Sequence, residues 1–169
     1  LALQKFGDAA HPHVSTDSME LLMGMTAGSA GETSALLILV CGAYLAVRRM
    51  MDWRIPAAVI LGTYVTAGIF YLADPSAYPT PEFMVLAGGL MLGAMFMASD
   101  MVASPVTPVG VWVYGALIGF LTVIIRLFGG LPEGVMYAIL FGNAASPLIS
   151  AVTQPRVYGT SRKKKKAAS

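Results

Sequence analysis

The stretch that decides the architecture is residues 88–108, GGLMLGAMFMASDMVASPVTP. It begins as an apolar run rich in glycine and methionine, contains one acid, Asp100, and ends with Pro105 and Pro108. Proline lacks an N–H donor and clashes with the preceding turn, so two prolines three residues apart predict a break between two helices. If the surrounding solvent is lipid, an acid at such a break either reaches the membrane interface or serves a function.

The composition indicates that the solvent is lipid. Of the 169 residues, 56% are hydrophobic and 12% are charged, and the mean hydropathy is +0.69. A soluble domain usually carries about 25% charged residues. The charged residues of this chain cluster between long apolar runs. We therefore predict an all-α polytopic membrane protein.

Five apolar runs predict five transmembrane helices, because a crossing takes about 20 residues. We place the spans at about 33–47, 55–72, 83–101, 109–128 and 133–152, within a membrane domain at 35–153. The remaining segments are an external connector at 1–17, a short interfacial or re-entrant helix with a GSAGETS turn at 18–34, and a basic tail at 154–169.

The arginines and lysines predict the orientation of these spans. The loop after the first span carries three arginines, and the tail carries Arg156, Arg162 and four lysines. Five spans put this loop and the tail on one side, and the loops on the other side carry no lysine or arginine. Since basic residues are retained inside the cell, we expect a cytoplasmic tail and an external N-terminal segment. The lysine run is either an anchor of this topology or a patch for anionic lipid.

Two glycine pairs predict where helices approach closely. Gly89 and Gly93 stand one turn apart in the third span, and Gly115 and Gly119 do so in the fourth. Small residues at this spacing allow two backbones to come into contact inside a membrane.

Charged residues near the span ends are the candidates for function, each beside a structural alternative. Glu32 lies at the start of the first span, where the positive end of the helix dipole would also stabilise an acidic side chain. Asp100 either caps a turn or pairs with the loop arginines, or it joins Ser104 and Thr107 as an ion-pathway candidate. Arg126 and Glu133 are expected beside Glu32 at the external face. That cluster is either a structural ion pair or a binding site for a cofactor phosphate. The guanidinium group of an arginine is suited to the second role, because it can donate two parallel hydrogen bonds to a phosphate.

From composition and residue spacing alone, we predict only that the chain is a polytopic membrane subunit. The sequence shows no nucleotide-binding loop, catalytic triad or metal-ligand spacing, so we name no catalytic or metal-binding residue. The single cysteine, Cys41, lies in an apolar run and is interpreted as a packing residue.

Four longer segments of the sequence resemble those of a known family. The segments are GSAGETSALLIL at 28–39, RRMMDWRIP at 48–56, GGLMLGAMFMASDMVASPVTPVG at 88–110, and YGALIGFLTVIIRLFGGLPEGVMYAILFGNAASPLI at 114–149. In this order they resemble the C-terminal half of the RnfD/NqrB family. Its members are the RnfD subunit of the Rnf ferredoxin:NAD⁺ oxidoreductase and the NqrB subunit of the Na⁺-translocating NADH:quinone reductase.

The resemblance implies a fold and a cofactor. The fold is a ten-helix arrangement of two repeats, similar to urea channels, of which this chain would hold the last five helices. The cofactor is FMN, bound through a phosphoester to a threonine of a Ser/Thr-x-Ala-Thr-type motif. That motif is absent from this chain, and we expect the threonine just upstream of Leu1, at the external face. The candidate flavin-binding residues are Gly28, Ser29, Gly31, Glu32, Thr33, Ser34, Arg126 and Glu133.

The resemblance also implies a function: a membrane flavoprotein subunit that passes electrons within a multisubunit complex and is coupled to Na⁺ or H⁺ translocation. Such a subunit is not catalytic alone. Its partners would be other membrane and peripheral subunits, in a bacterial or archaeal cytoplasmic membrane, with no nucleic acid. Two alternatives stay open, a channel or transporter domain without a redox role and a purely structural assembly subunit. Flavin fluorescence of the intact subunit would distinguish the redox function from both alternatives.

Overall fold

The computed structural model describes residues 34–73, 78–86, 89–129 and 134–154, and all regular structure within these ranges is helical. We number the helices along the chain as α1 (Ala35–Val47), α2 (Arg54–Ala73), α3 (Pro81–Leu86), α4 (Leu90–Leu92), α5 (Pro108–Phe128) and α6 (Gly134–Thr153). A π-helical segment, Gly93–Met97, continues directly from α4.

Three of these helices, α2, α5 and α6, are long and apolar enough to cross a membrane. Helix α1 is also apolar but has only 13 residues. The ends of all four helices lie within two residues of the spans expected for these stretches. The described residues therefore form an all-helical protein with three membrane-capable helices, and the count of five spans stays a prediction.

The predicted third span, 83–101, is not one continuous helix. Helix α3 ends at Leu86, and α4 with the π-helical segment covers residues 90–97. At the end of the π-helical segment, the N–H of Ala98 donates to the carbonyl of Gly93, five residues back, at 2.7 Å. Residues 98–107 then run through turns into α5. The expected proline break before α5 is present, and the apolar run ahead of it is broken as well.

Helix α5 is the centre of the described fold, with α2 packed on one side and α6 on the other. The α2 contact depends on Gly115 and Gly119, as their spacing predicts. A Cβ atom added at Gly119 would lie 2.5 Å from the backbone nitrogen of Thr63 and 2.7 Å from the carbonyl oxygen of Val59. Only glycine fits against backbone at that distance, so the close approach of α2 and α5 is confirmed.

Gly93 serves the same purpose for the π-helical segment. A Cβ atom there would overlap the Cγ1 atom of Val135 on α6. The irregular third region is thereby held against the helix that follows α5.

Helix α1 ends in a tight hydrogen-bonded turn. The N–H of Arg49 donates to the carbonyl of Ala46, and the N–H of Met50 donates to that of Leu45, each at 3.0 Å. This is the Schellman pattern, which places its residue after the cap in the left-handed region. Arg49 occupies that position with φ of 56°.

Candidate functional site

The flavin-binding candidates divide between residues that the structure describes and residues outside that part of the chain. Ser34 and Arg126 are described. The others lie outside the described residues: Gly28, Ser29, Gly31, Glu32, Thr33 and Glu133. The expected cluster of Glu32, Arg126 and Glu133 therefore stays a prediction.

Ser34 is the N-cap of α1. Its Oγ accepts a hydrogen bond from the backbone N–H of Leu37 at 3.3 Å, and its carbonyl accepts one from Ile38 at 3.2 Å. A serine in this position satisfies one of the N–H groups that the first helical turn leaves open. Ser34 thus sets where α1 begins.

Arg126 is buried near the end of α5, with 3% of its surface exposed. Its Nη1 donates to the carbonyl oxygen of Met84 at 2.7 Å. Met84 is the fourth residue of α3. A cation at a helix C-terminus also interacts favourably with the helix dipole. Arg126 therefore fastens the end of α3 to α5.

Apolar side chains surround this contact. Met84, Val123 and Ala67 form a buried cluster, with Phe70 and Leu127 packed against it. A guanidinium in such surroundings is costly unless its N–H groups are bonded. The bond to Met84 offsets part of that cost and makes the position of α3 relative to α5 specific.

Asp100 and Ser104 lie together in one turn after the π-helical segment. The Oδ1 atom of Asp100 accepts from the backbone N–H of Val102, and the Asp100 carbonyl accepts from that of Ser104, each at 3.1 Å. Asp100 is exposed and Ser104 is half-buried. Asp100 thus caps its own turn, and its exposed carboxylate can still meet solvent or an ion.

Thr107 starts α5 and links it to the end of α6. Its Oγ1 accepts from the N–H of Gly110 at 3.2 Å and lies 2.5 Å from the Oγ1 of Thr153. The hydroxyl of Thr153 donates to the carbonyl of Ile149 at 2.7 Å. Each hydroxyl has one proton, so Thr107 must donate to Thr153. The four groups form one directed chain of hydrogen bonds, and the Thr107 hydroxyl is committed to it.

A second polar contact joins α5 and α6 deeper along the helices, and it was not predicted from the sequence. The hydroxyl of Tyr114 donates to the Oδ1 of Asn143 at 2.5 Å. Tyr114 is 1% exposed. A signal was present, because Asn143 is the only asparagine in the chain and stands in an apolar run.

Comparison with known families gives one consistent answer. The sequence model of the family described as "NQR2, RnfD, RnfE family" matches residues 1–159.

Individual relatives agree with this match. The chain is 42% identical to the D subunit of the Na(+)-translocating ferredoxin:NAD(+) oxidoreductase complex of Acetobacterium woodii, over 99% of this chain and 50% of the relative. It is 42% identical to the D subunit of the proton-translocating ferredoxin:NAD(+) oxidoreductase complex of Clostridium ljungdahlii, over 84% of this chain and 43% of the relative. It is 43% identical to the D subunit of the ion-translocating oxidoreductase complex of Aeromonas hydrophila, over 74% and 36%. The chain spans half or less of the length of these relatives.

Proposed function

The chain belongs to the NQR2, RnfD, RnfE family, and we propose that it forms the C-terminal, membrane-embedded part of an RnfD-type subunit in an ion-translocating electron-transport complex. In that complex the subunit passes electrons through FMN, and the electron flow is coupled to translocation of Na⁺ or H⁺. One observation carries the proposal: 42% identity to a relative with an ion-translocating name, extending over 99% of this chain.

The two ends of α5 are assigned different roles within this function. Arg126 comes 18 residues after Pro108, or about 27 Å at 1.5 Å per residue. That length is close to the ~30 Å thickness of a membrane core. Asp100, Ser104 and Thr107 therefore belong to one membrane face and Arg126 to the other. We assign the first group to ion access and the Arg126 end to the flavin.

The flavin is proposed to attach to a threonine preceding Leu1, on the external face. The residues proposed to surround it are Gly28, Ser29, Gly31, Glu32, Thr33, Ser34, Arg126 and Glu133. Arg126 supports this location through its burial and through its bond to Met84, which places the end of a broken helix beside it. With the tail cytoplasmic, the Arg126 end of α5 is the external end.

The test uses the complete subunit within its purified complex. We expect flavin fluorescence at the position of the denatured subunit on a gel, and ion uptake into proteoliposomes that depends on electron transfer from reduced ferredoxin to NAD⁺. Absence of flavin from the denatured subunit would overturn the cofactor proposal. Electron transfer without ion uptake in sealed vesicles would overturn the translocation role.

Arg126→Lys tests the flavin side more closely. A lysine keeps the charge and can reach one carbonyl, but it cannot grip a phosphate with two parallel N–H bonds. We expect an assembled complex with lower flavin content or a shifted flavin reduction potential. Arg54→Lys, at the opposite end of the membrane domain, is the matched control. Unchanged flavin content and potential in an intact Arg126→Lys complex would remove Arg126 from the cofactor site.

One observation favours an alternative function, a channel or transporter domain without a redox role. Discontinuous helices are typical of transporters, where they line the substrate site, and the third apolar region is discontinuous. Flux of a solute through vesicles carrying a flavin-free subunit would support this alternative over the redox function.

A further inference from the structure

We propose that the turn between α1 and α2, residues 48–53, binds the phosphate of an anionic phospholipid headgroup. The inference goes beyond the proposed function and stands without it, because it concerns the lipid around the subunit and involves no redox group. It depends on the place of this turn in the fold, on the backbone of Arg49 and on the side chains that the turn exposes.

The turn lies at the membrane face where α2 and α5 both begin. These two helices run in the same direction, because Gly115 of α5 approaches Ala58 of α2, and Gly119 then approaches Thr63. The start of α2 at Arg54 and the start of α5 are therefore at the same face. The turn, which leads directly into α2, is at that face too.

Helix α6 ends at this face as well. It runs opposite to α5, since Thr153 in its last turn contacts Thr107 at the start of α5. In the sequence, α6 is followed by the basic stretch with Arg156, Arg162 and four lysines. The two most basic stretches of the chain are thus joined to helix ends at one membrane face. Such a concentration of positive charge is complementary to anionic lipid.

Arg49 has a backbone conformation that its side chain disfavours. Its φ of 56° lies in the left-handed region, and among the described residues no other non-glycine residue has a positive φ. Glycine is the usual residue at this position of a Schellman turn, because it has no Cβ to clash. The favourable contact of a cation with the helix C-terminus is already available from Arg48, the C-cap of α1. A strained arginine at an exposed position therefore points to a function of its side chain.

The turn exposes basic and apolar side chains together. Arg48 and Arg49 are exposed, and Met50 and Trp53 are 63% and 59% exposed. Tryptophan at the end of a membrane helix is typical of the headgroup level, and a methionine beside it suits the boundary with the acyl chains. Arginine can bind a phosphate through two parallel N–H bonds. The apolar neighbours of the arginines favour a lipid over the acidic surface of a protein.

Acidic side chains at this face leave the turn positively charged. The Oδ1 of Asp52 accepts from the backbone N–H of Arg54 at 3.2 Å, and the Oδ1 of Asp100 accepts from that of Val102 at 3.1 Å. Each carboxylate thus caps its own turn. Residues 48–54 contain three arginines and one acid, so the positive charge exceeds the negative charge.

The experiment uses the purified, complete complex and a phosphatidylglycerol probe with a photoactivatable group beside its headgroup. Labelled residues are located by mass spectrometry. In the parent complex we expect labelling at residues 50–53, about fivefold above that from the matching phosphatidylcholine probe. Replacing both arginines, Arg48→Gln with Arg49→Gln, should lower the phosphatidylglycerol labelling about fivefold or more, since each basic residue near an anionic surface contributes about this factor. Arg49→Lys is the matched control, because it keeps the charge and should be labelled like the parent.

Arg49→Gly separates a lipid site from a purely structural turn. Glycine removes the strain of the left-handed backbone, so we expect an unfolding midpoint in phosphatidylcholine equal to or above that of the parent. Labelling by the phosphatidylglycerol probe should fall in the same variant. A variant that loses stability and keeps its labelling overturns the inference. If the double glutamine variant does not assemble, Arg49→Gly decides alone.

Three further results would overturn the lipid site. Equal labelling of the parent and the double glutamine variant removes the arginines from it. Labelling that is abolished by inorganic phosphate identifies a site for a free anion instead. A double variant that lacks another subunit of the complex but is labelled like the parent identifies a protein interface. The proposed redox function is decided separately, by flavin content and ion uptake, so either proposal can fail without the other.

Discussion

The two long helices packed on α5 hold their polar side chains differently. On α2, Thr63 and Thr66 each donate to a carbonyl of their own helix four residues back. On the side facing α6, polar side chains bond across the helix boundary, at Tyr114 with Asn143 and at Thr107 with Thr153.

The difference indicates how each of the two interfaces is stabilised. Inside a membrane the hydrophobic effect does not drive helices together, and close van der Waals packing of small residues takes its place. The α2–α5 contact follows this rule, with Gly115 and Gly119 against the α2 backbone. The α5–α6 contact adds polar side chains that bond from one helix to the other.

The largest effect is expected from Gly119→Ala in the α2–α5 interface. The new Cβ would lie 2.5 Å from the backbone nitrogen of Thr63, and backbone cannot move aside as a side chain can. We expect a loss of about 2–3 kcal/mol, typical of overpacking, seen as less assembled complex and a lower thermal unfolding midpoint.

Gly68→Ala is the matched control for this substitution. Its Cβ would meet only the Pro81 side chain, at 4.0 Å, and alanine favours a helix over glycine by about 1 kcal/mol. The expected result is a stability equal to or above that of the parent. Equal losses for both variants would mean that the α2–α5 contact is not uniquely tight.

A smaller effect is expected from Thr153→Val in the α5–α6 interface. Valine keeps the shape but removes the hydroxyl that accepts from Thr107 and donates to Ile149. We expect a loss of about 1 kcal/mol, the usual contribution of one hydrogen bond, measured as a lower unfolding midpoint of the purified complex. Thr153→Ser keeps the hydroxyl and should recover most of that loss, whereas a serine variant as unstable as the valine variant would point to packing instead.

The smallest effect is expected from Thr122→Val within α5. The Thr122 hydroxyl bonds only to the Ile118 carbonyl of its own helix, and that carbonyl keeps its helical partner. We expect a change of about 0.5 kcal/mol or less, since such back-bonds do not stabilise a helix. The same thermal measurement applies, and a loss as large as that of Thr153→Val would erase the contrast between hydrogen bonds within one helix and hydrogen bonds between helices.

Much of the helical layout could be predicted because its signals are local. Long apolar runs mark α2, α5 and α6, and Pro105 and Pro108 mark the break before α5. The glycine pair at 115 and 119 predicted a close contact from its spacing alone. Periodicity could not show that the third run breaks after Leu86, because apolar residues continue on both sides of the break.

The sequence by itself determined where the chain is apolar enough to cross a membrane and where its prolines break it before α5. Only the tertiary structure decided that Arg126 bonds to the carbonyl of Met84, 42 residues away, and that Tyr114 bonds to Asn143, 29 residues away. The physical reason lies in the range of the forces. Helix formation and capping depend on neighbours within a turn, whereas the partner of a buried polar group is set by how whole helices pack and by the register in which they meet.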